Sequence, residues 1–134
     1  GLLTMGEVLG LQLDADWVVL SACNTGSGEG AGAEAISGLG RAFFYAGARA
    51  LLVSNWPVET TSARALTTGL FRKQVADAKL SRAEALRQTI LDLIDGSGFV
   101  DPQSGKVVFS YAHPIFWAPF SLVGEGGHTT TQGN

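Results

Sequence analysis

Cys23 is the single cysteine among 134 residues, so it has no disulfide partner within the chain. With only His113 and the distant His128 beside it, it cannot complete a zinc site of ordinary ligand spacing. Two readings remain, a small buried apolar filler or a nucleophilic thiol. The next segment favours the second. Residues 24–33 carry Gly26, Gly28, Gly30 and Gly32, and backbone of this kind can approach a substrate carbonyl closely and turn N–H groups toward a developing oxyanion. A thiol at such a place needs an imidazole or a helix N-terminus nearby to ionise at neutral pH.

Other chemistry-bearing residues are weaker candidates. The glycine spacing fits neither a P-loop nor a dinucleotide fingerprint, and no Lys-Ser/Thr pair follows it, so a phosphate cradle is set aside. His113, beside Pro114, Phe116 and Trp117, could act as a base, but a structural histidine fixing the start of the last strand is the preferred reading. Glu29, Glu34 and Glu59 read as carboxylates stabilised near helix starts. Trp56 lines a substrate cleft or caps the core, with neither reading favoured, whereas Trp17 and Trp117 read as core.

Elements must bring these residues together. The run 17–22 is apolar and rich in β-branched residues, as in a strand covered on both faces, and it ends at Cys23. A helix is expected over 34–46, with Ile36, Leu39, Phe43 and Ala46 on one face, Gly38, Gly40 and Ala42 allowing close approach, and Gly47 closing it. A second buried strand over 49–55 stops at Trp56-Pro57, which places Ser54, Asn55 and Trp56 at its carboxyl end. Thr60, Thr61 and Ser62 offer N-caps for a helix burying Leu66, Leu70, Phe71 and Val75. Ser81 and Glu84 predict a capping box for a helix over 82–94, whose stripe is Leu86, Ile90, Leu93 and Ile94. Turn formers at 95–98 and 102–105 predict a hairpin-like insertion over 95–112. The alternating stretch 115–123 contains Pro119 and so reads as an edge strand. Strands alternating with helices imply an α/β fold with a parallel sheet, and ligands in such folds bind beyond the carboxyl ends of the strands, where Cys23 and 54–56 both fall.

Bulk properties agree with one core-forming domain or part of one. Hydrophobic residues make up 46% of the chain and charged ones 16%, which excludes a solvated, disordered chain. A net charge of −3 without a basic cluster gives no footprint for nucleic acid or an anionic membrane. No apolar run approaches the roughly 20 residues of a membrane span, and a soluble, cytoplasmic protein needing no metal or cofactor is expected.

Three segments carry a family resemblance: 18–26 (Val-Val-Leu-Ser-Ala-Cys-Asn-Thr-Gly), 38–48 from Gly38-Leu39 to Ala46-Gly47-Ala48, and 53–58 (Val-Ser-Asn-Trp-Pro-Val). With the closing His113-Pro114, Trp117 to Phe120 and Gly124, they resemble the CHAT family, caspase-like domains often found behind tetratricopeptide repeats. The resemblance implies a caspase-like, mostly parallel sheet with helices on both faces, here incomplete at the N-terminus. It also implies peptide-bond hydrolysis by a Cys/His dyad, with Cys23 at the nucleophile position and a protein or peptide as substrate. Asn24 and Gly26 beside the nucleophile, and Ser54, Asn55 and Trp56 on the next strand end, are the expected substrate contacts. In caspase-like enzymes the histidine lies about 50 residues before the cysteine. Only 22 residues precede Cys23, so the base is expected upstream of Gly1. His113 belongs, by the same resemblance, to a conformational element without a catalytic role. The expectation is the C-terminal part of a CHAT domain over 1–124, a mobile tail over 125–134, and a bacterial parent. A non-catalytic caspase-like module for binding and assembly is the alternative.

Overall fold

The computed structural model describes residues 3–20 and 31–127, with side chains from 38 onward in the second stretch. In chain order the elements are α1 (Met5–Leu9), β1 (Val18–Leu20), α2 (Ala31–Tyr45), β2 (Ala50–Ser54), α3 (Thr60–Ala76), α4 (Arg82–Asp95), β3 (Phe99–Val100), β4 (Val107–Phe109) and β5 (Phe120–Gly124). A 3-10 turn at Pro114–Phe116 precedes β5. Two compact units divide the chain: Gly1–Pro57 with Phe120–Glu125, and Val58–Pro119 with Gly126–Asn134.

The first unit is built on β2, whose five residues are all buried. Its apolar run has no polar face to turn to solvent, which is the signature of a central strand. β1 lies parallel to it, with Val18 opposite Leu51 and Leu20 opposite Val53. β5 lies on the other side and runs antiparallel, with Ser121 opposite Val53 and Phe120 opposite Ser54. The order β1-β2-β5 is therefore a mixed sheet, and the expected mostly parallel sheet is corrected to one parallel and one antiparallel pairing among the described residues. The reason is where the chain returns: Phe120 meets Ser54, so the last strand starts at the carboxyl end of β2 and must run back along it. The strand expected over 115–123 is corrected to Phe120–Gly124: Ile115 and Phe116 belong to the 3-10 turn, and Pro119 stands just before the strand, where its missing N–H removes no ladder bond; β5 is nonetheless an outer strand of the described sheet.

The helix expected over 34–46 begins earlier, at Ala31. Phe43 and Ala46 are buried with Val8, Ala42, Ala48, Leu51 and Val53, and Leu39 packs against them. A Cβ on Gly40 would stand 3.2 Å from the Leu51 side chain, so this glycine lets helix and strand approach as foreseen. Gly47 closes the helix with φ +107°. An unanticipated five-residue helix, α1, is opened by a capping box between Thr4 and Glu7, and its Val8 is fully buried.

In the second unit, α3 is capped by Glu59, not by Thr60, Thr61 or Ser62. The Glu59 carboxylate accepts from Thr61 N at 2.8 Å and Ser62 N at 2.7 Å, while the Ser62 hydroxyl donates back to the Glu59 carbonyl. Leu66 and Leu70 are buried, but Phe71 and Val75 are exposed, Val75 at 88%. Ser81 caps α4 by accepting from Glu84 N, whereas the Glu84 carboxylate turns to Arg87 and Gln88, so half of the expected capping box forms. Leu86 and Leu93 are buried on its inner face and Ile90 and Ile94 partly so. A Cβ on Gly69 would stand 2.9 Å from Thr89, marking where α3 and α4 come closest, and Lys73 pairs with Asp92 at 2.7 Å. The expected hairpin is present: β3 and β4 pair antiparallel, and Phe109 stacks on both Phe99 and Phe116.

Candidate functional site

The register places three residues in one row across the first unit's sheet: Leu20 of β1, Val53 of β2 and Ser121 of β5. This row lies at the carboxyl ends of both β1 and β2, the edge where an α/β sheet carries its ligands. Ser54, the last residue of β2, is 1% exposed. Asn55 follows it at the surface, and its Nδ2 donates to Ser121 Oγ at 2.8 Å. Trp56 is 43% exposed, more open than a side chain capping a core. Cys23, Asn24 and Gly26 lie outside the described residues, as do 24–30 of the glycine segment; 31–33 belong to α2.

The opposite end of β2 is held by charge. Arg49 pairs with Asp14 and, at 3.4 Å, with Asp16, and the Asp14 hydrogen bond and charge hold its guanidinium protonated. Leu13 N donates to Ala46 O at 2.6 Å, and Glu125 N to Arg49 O at 3.0 Å, so the first residue of the expected tail is tied to the sheet. Gly126 O accepts from Ala83 N within the second unit, and the tail from 128 onward lies outside the described residues.

His113 is a cap. Its Nδ1 accepts from Ile115 N at 3.2 Å and so starts the 3-10 turn ahead of β5, the structural role its sequence position suggested. Glu59 likewise serves a helix start: burial raises its carboxyl pKa, but the bonds from Thr61 and Ser62 outweigh this and leave it below the usual range. Burial pushes the Tyr111 hydroxyl up, against a hydrogen bond with Thr61. Open hollows of about 430 Å³ by Arg41, Phe44 and Tyr45, and about 530 Å³ along α3 from Thr68 to Ala76, lie on helix surfaces and include none of the described strand-end residues. Among the described residues no cluster of His, Cys, Asp or Glu could hold a metal ion, and no helix is long and apolar enough to cross a membrane.

Sequence reasoning missed Ser121. Its signal is a lone hydroxyl in the apolar strand Phe120–Gly124, but its partner is fixed only by the pairing of β5 with β2.

A family model described as the CHAT domain matches residues 1–125. The chain belongs to the CHAT domain family. This CHAT domain is 31% identical to human tetratricopeptide repeat protein 28 and 29% identical to its mouse counterpart, in each case over 92% of the chain and 4% of the relative. The domain thus spans a small fraction of the length of the curated relatives it matches. Both are mammalian proteins and lend no support to a bacterial source. No solved structure matches the chain.

Proposed function

We propose that this CHAT domain is the C-terminal part of a caspase-like cysteine endopeptidase with Cys23 as its nucleophile. The observation that supports it is the parallel pairing of β1 with β2, whose ends share the edge where Asn55 and Trp56 are exposed and from which the chain runs on to Cys23. In this reading a histidine of the parent protein, upstream of Gly1, takes the Cys23 proton, and the thiolate attacks the scissile carbonyl carbon. Backbone N–H groups of the glycine segment from Asn24 and Gly26 onward stabilise the oxyanion, the C–N bond breaks as the amine takes the proton, and water then releases the acyl group. Asn55 and Trp56 form the neighbouring wall of the peptide site, while Ser54 is buried at the end of β2. A reducing, cytoplasmic setting suits a thiol nucleophile, and the name of the mammalian relatives supports a parent in which tetratricopeptide repeats accompany the domain.

The test compares hydrolysis of a protein or peptide pool by the intact parent and its Cys23→Ala variant, with folding of both checked by circular dichroism. Nucleophile and base act as one unit, so the variant is expected to lose about a thousandfold or more of the rate. The isolated chain, without the base, is expected to be nearly inactive. Equal rates for parent and variant would remove Cys23 from catalysis and leave a binding and assembly module as the better reading.

A further inference from the structure

We infer that the outward face of α3 is a docking site for an amphipathic helix whose apolar stripe is flanked by acidic residues. The inference stands apart from Cys23 and from the peptidase reading. Thr68, Phe71, Arg72, Val75 and Ala76 line an open hollow of about 530 Å³ along this helix. Val75 is 88% exposed there. A valine gives up rotamer freedom in a helix and recovers that cost only when something covers it. The charges on the face are as distinctive. α3 carries Arg64, Arg72 and Lys73 and no acidic residue, in a chain whose net charge is −3. Lys73 is taken up by Asp92 of α4 at 2.7 Å, whereas Arg64 and Arg72 are exposed and make no ion pair with a described residue. Arg64, Thr68, Phe71 and Val75 follow one another at four- and three-residue steps, so basic and apolar groups share one face. Such a face is complementary to apolar side chains set between carboxylates.

Other occupants fit less well. Segments 21–30 and 128–134 of this chain contain no large apolar side chain to fill the hollow, and Gly1-Leu2 offers a single leucine. A second copy in a two-fold arrangement would set Arg64 and Arg72 against their own counterparts, and like charges repel. An extended peptide would leave its backbone N–H and C=O groups against a helix whose own are already bonded internally, while a helix satisfies its own and presents only side chains. Arg64 and Arg72 are roughly 12 Å apart along the axis at about 1.5 Å per residue. A partner helix packed along α3 therefore meets both guanidinium groups with carboxylates about two turns apart.

The experiment selects a displayed library of random peptides, each about 18 residues or five turns long, against the 134-residue chain. Recovered peptides are synthesised, and their Kd is measured by fluorescence anisotropy for the chain, for Val75→Gln, Val75→Leu and Arg64→Glu/Arg72→Glu, and for Val108→Gln on the exposed part of β4. Circular dichroism checks the fold of each variant and the helicity of each bound peptide. The recovered peptides are expected to be helical, with apolar residues at three- and four-residue spacing and Asp or Glu beside them. Val75→Gln and the double charge reversal should each weaken binding about tenfold, the second less so in about 1 M salt, where surface charges are screened. Val75→Leu, which keeps an apolar anchor, and Val108→Gln should leave Kd within about threefold. Recovery of no peptide, recovery of basic or extended ones, or a Kd unmoved by Val75→Gln or by the charge reversal overturns the inference. A chain that sediments as a dimer, and as a monomer once it carries Val75→Gln, overturns it in favour of a second copy on this face.

Discussion

His113 shows how a residue type suited to catalysis can be occupied otherwise. Its Nδ1 already accepts the Ile115 N–H, and a cap of this kind contributes about 1 kcal/mol. His113→Ala should therefore lower stability by about that amount in urea unfolding and leave Cys23-dependent hydrolysis by the intact parent within about twofold. A loss of hydrolysis comparable to that of Cys23→Ala would make it a catalytic group instead. The histidine's structural role was legible because its neighbours, Pro114 and an aromatic pair, announce a turn before a strand. Ser121 was not, because nothing local distinguishes a serine that bonds Asn55 from one that faces water; the distinction comes from strand pairing across 66 positions of sequence.

At the scale of elements, the three long helices were legible in existence and less so in their ends. α3 is the instructive case. Its 3.6-residue spacing placed Phe71 and Val75 beside Leu66 and Leu70, yet only the last two are buried, since period tells which residues share a face but not how wide a neighbour covers it. α1 is too short to display a period at all. Gly47 carries a sharper constraint: a Cβ there would stand 2.0 Å from the Leu13 carbonyl oxygen, in a backbone conformation that L side chains rarely adopt. Gly47→Ala should cost at least about 2 kcal/mol in urea unfolding, whereas Gly105→Ala, which meets nothing within 4 Å, should cost less despite its own positive φ. Helix α4 supplies a pH prediction. The hydrogen bonds from Arg87 and Gln88 hold the Glu84 carboxyl down at about 2 against an ordinary 4.5. The folded state therefore favours ionised Glu84, and its stabilising contribution is whole above about pH 4.5 and gone once pH falls through about 2. Melting temperatures of the chain and of Glu84→Gln should differ at pH 6 and converge as the pH is lowered across that window. A gap that stays constant with pH would show that the carboxylate is not its source.

For the whole molecule, the alternation of strand and helix made the α/β class legible, and the parallel β1–β2 pair followed from the crossover through α2. The antiparallel return of β5 was hidden, because no local pattern states at which end of the sheet a chain re-enters. That return is what completes the first unit, for Leu51 pairs with Val123 and Leu52 with Leu122. A chain ended after Pro119 should accumulate as insoluble protein or bind hydrophobic dyes, since all five buried residues of β2 would lose their partner on one side. Soluble expression with a cooperative unfolding transition equal to that of the full chain would contradict this. The same pairing sets a timetable for synthesis. On the ribosome, β2 is made early, but the strand that covers its flank emerges only after the whole of α3, α4 and the hairpin. Through that interval the nascent chain carries a strand whose first four residues, Ala50 to Val53, are apolar and whose edge is open, and any folding assistant in the cell has its moment there.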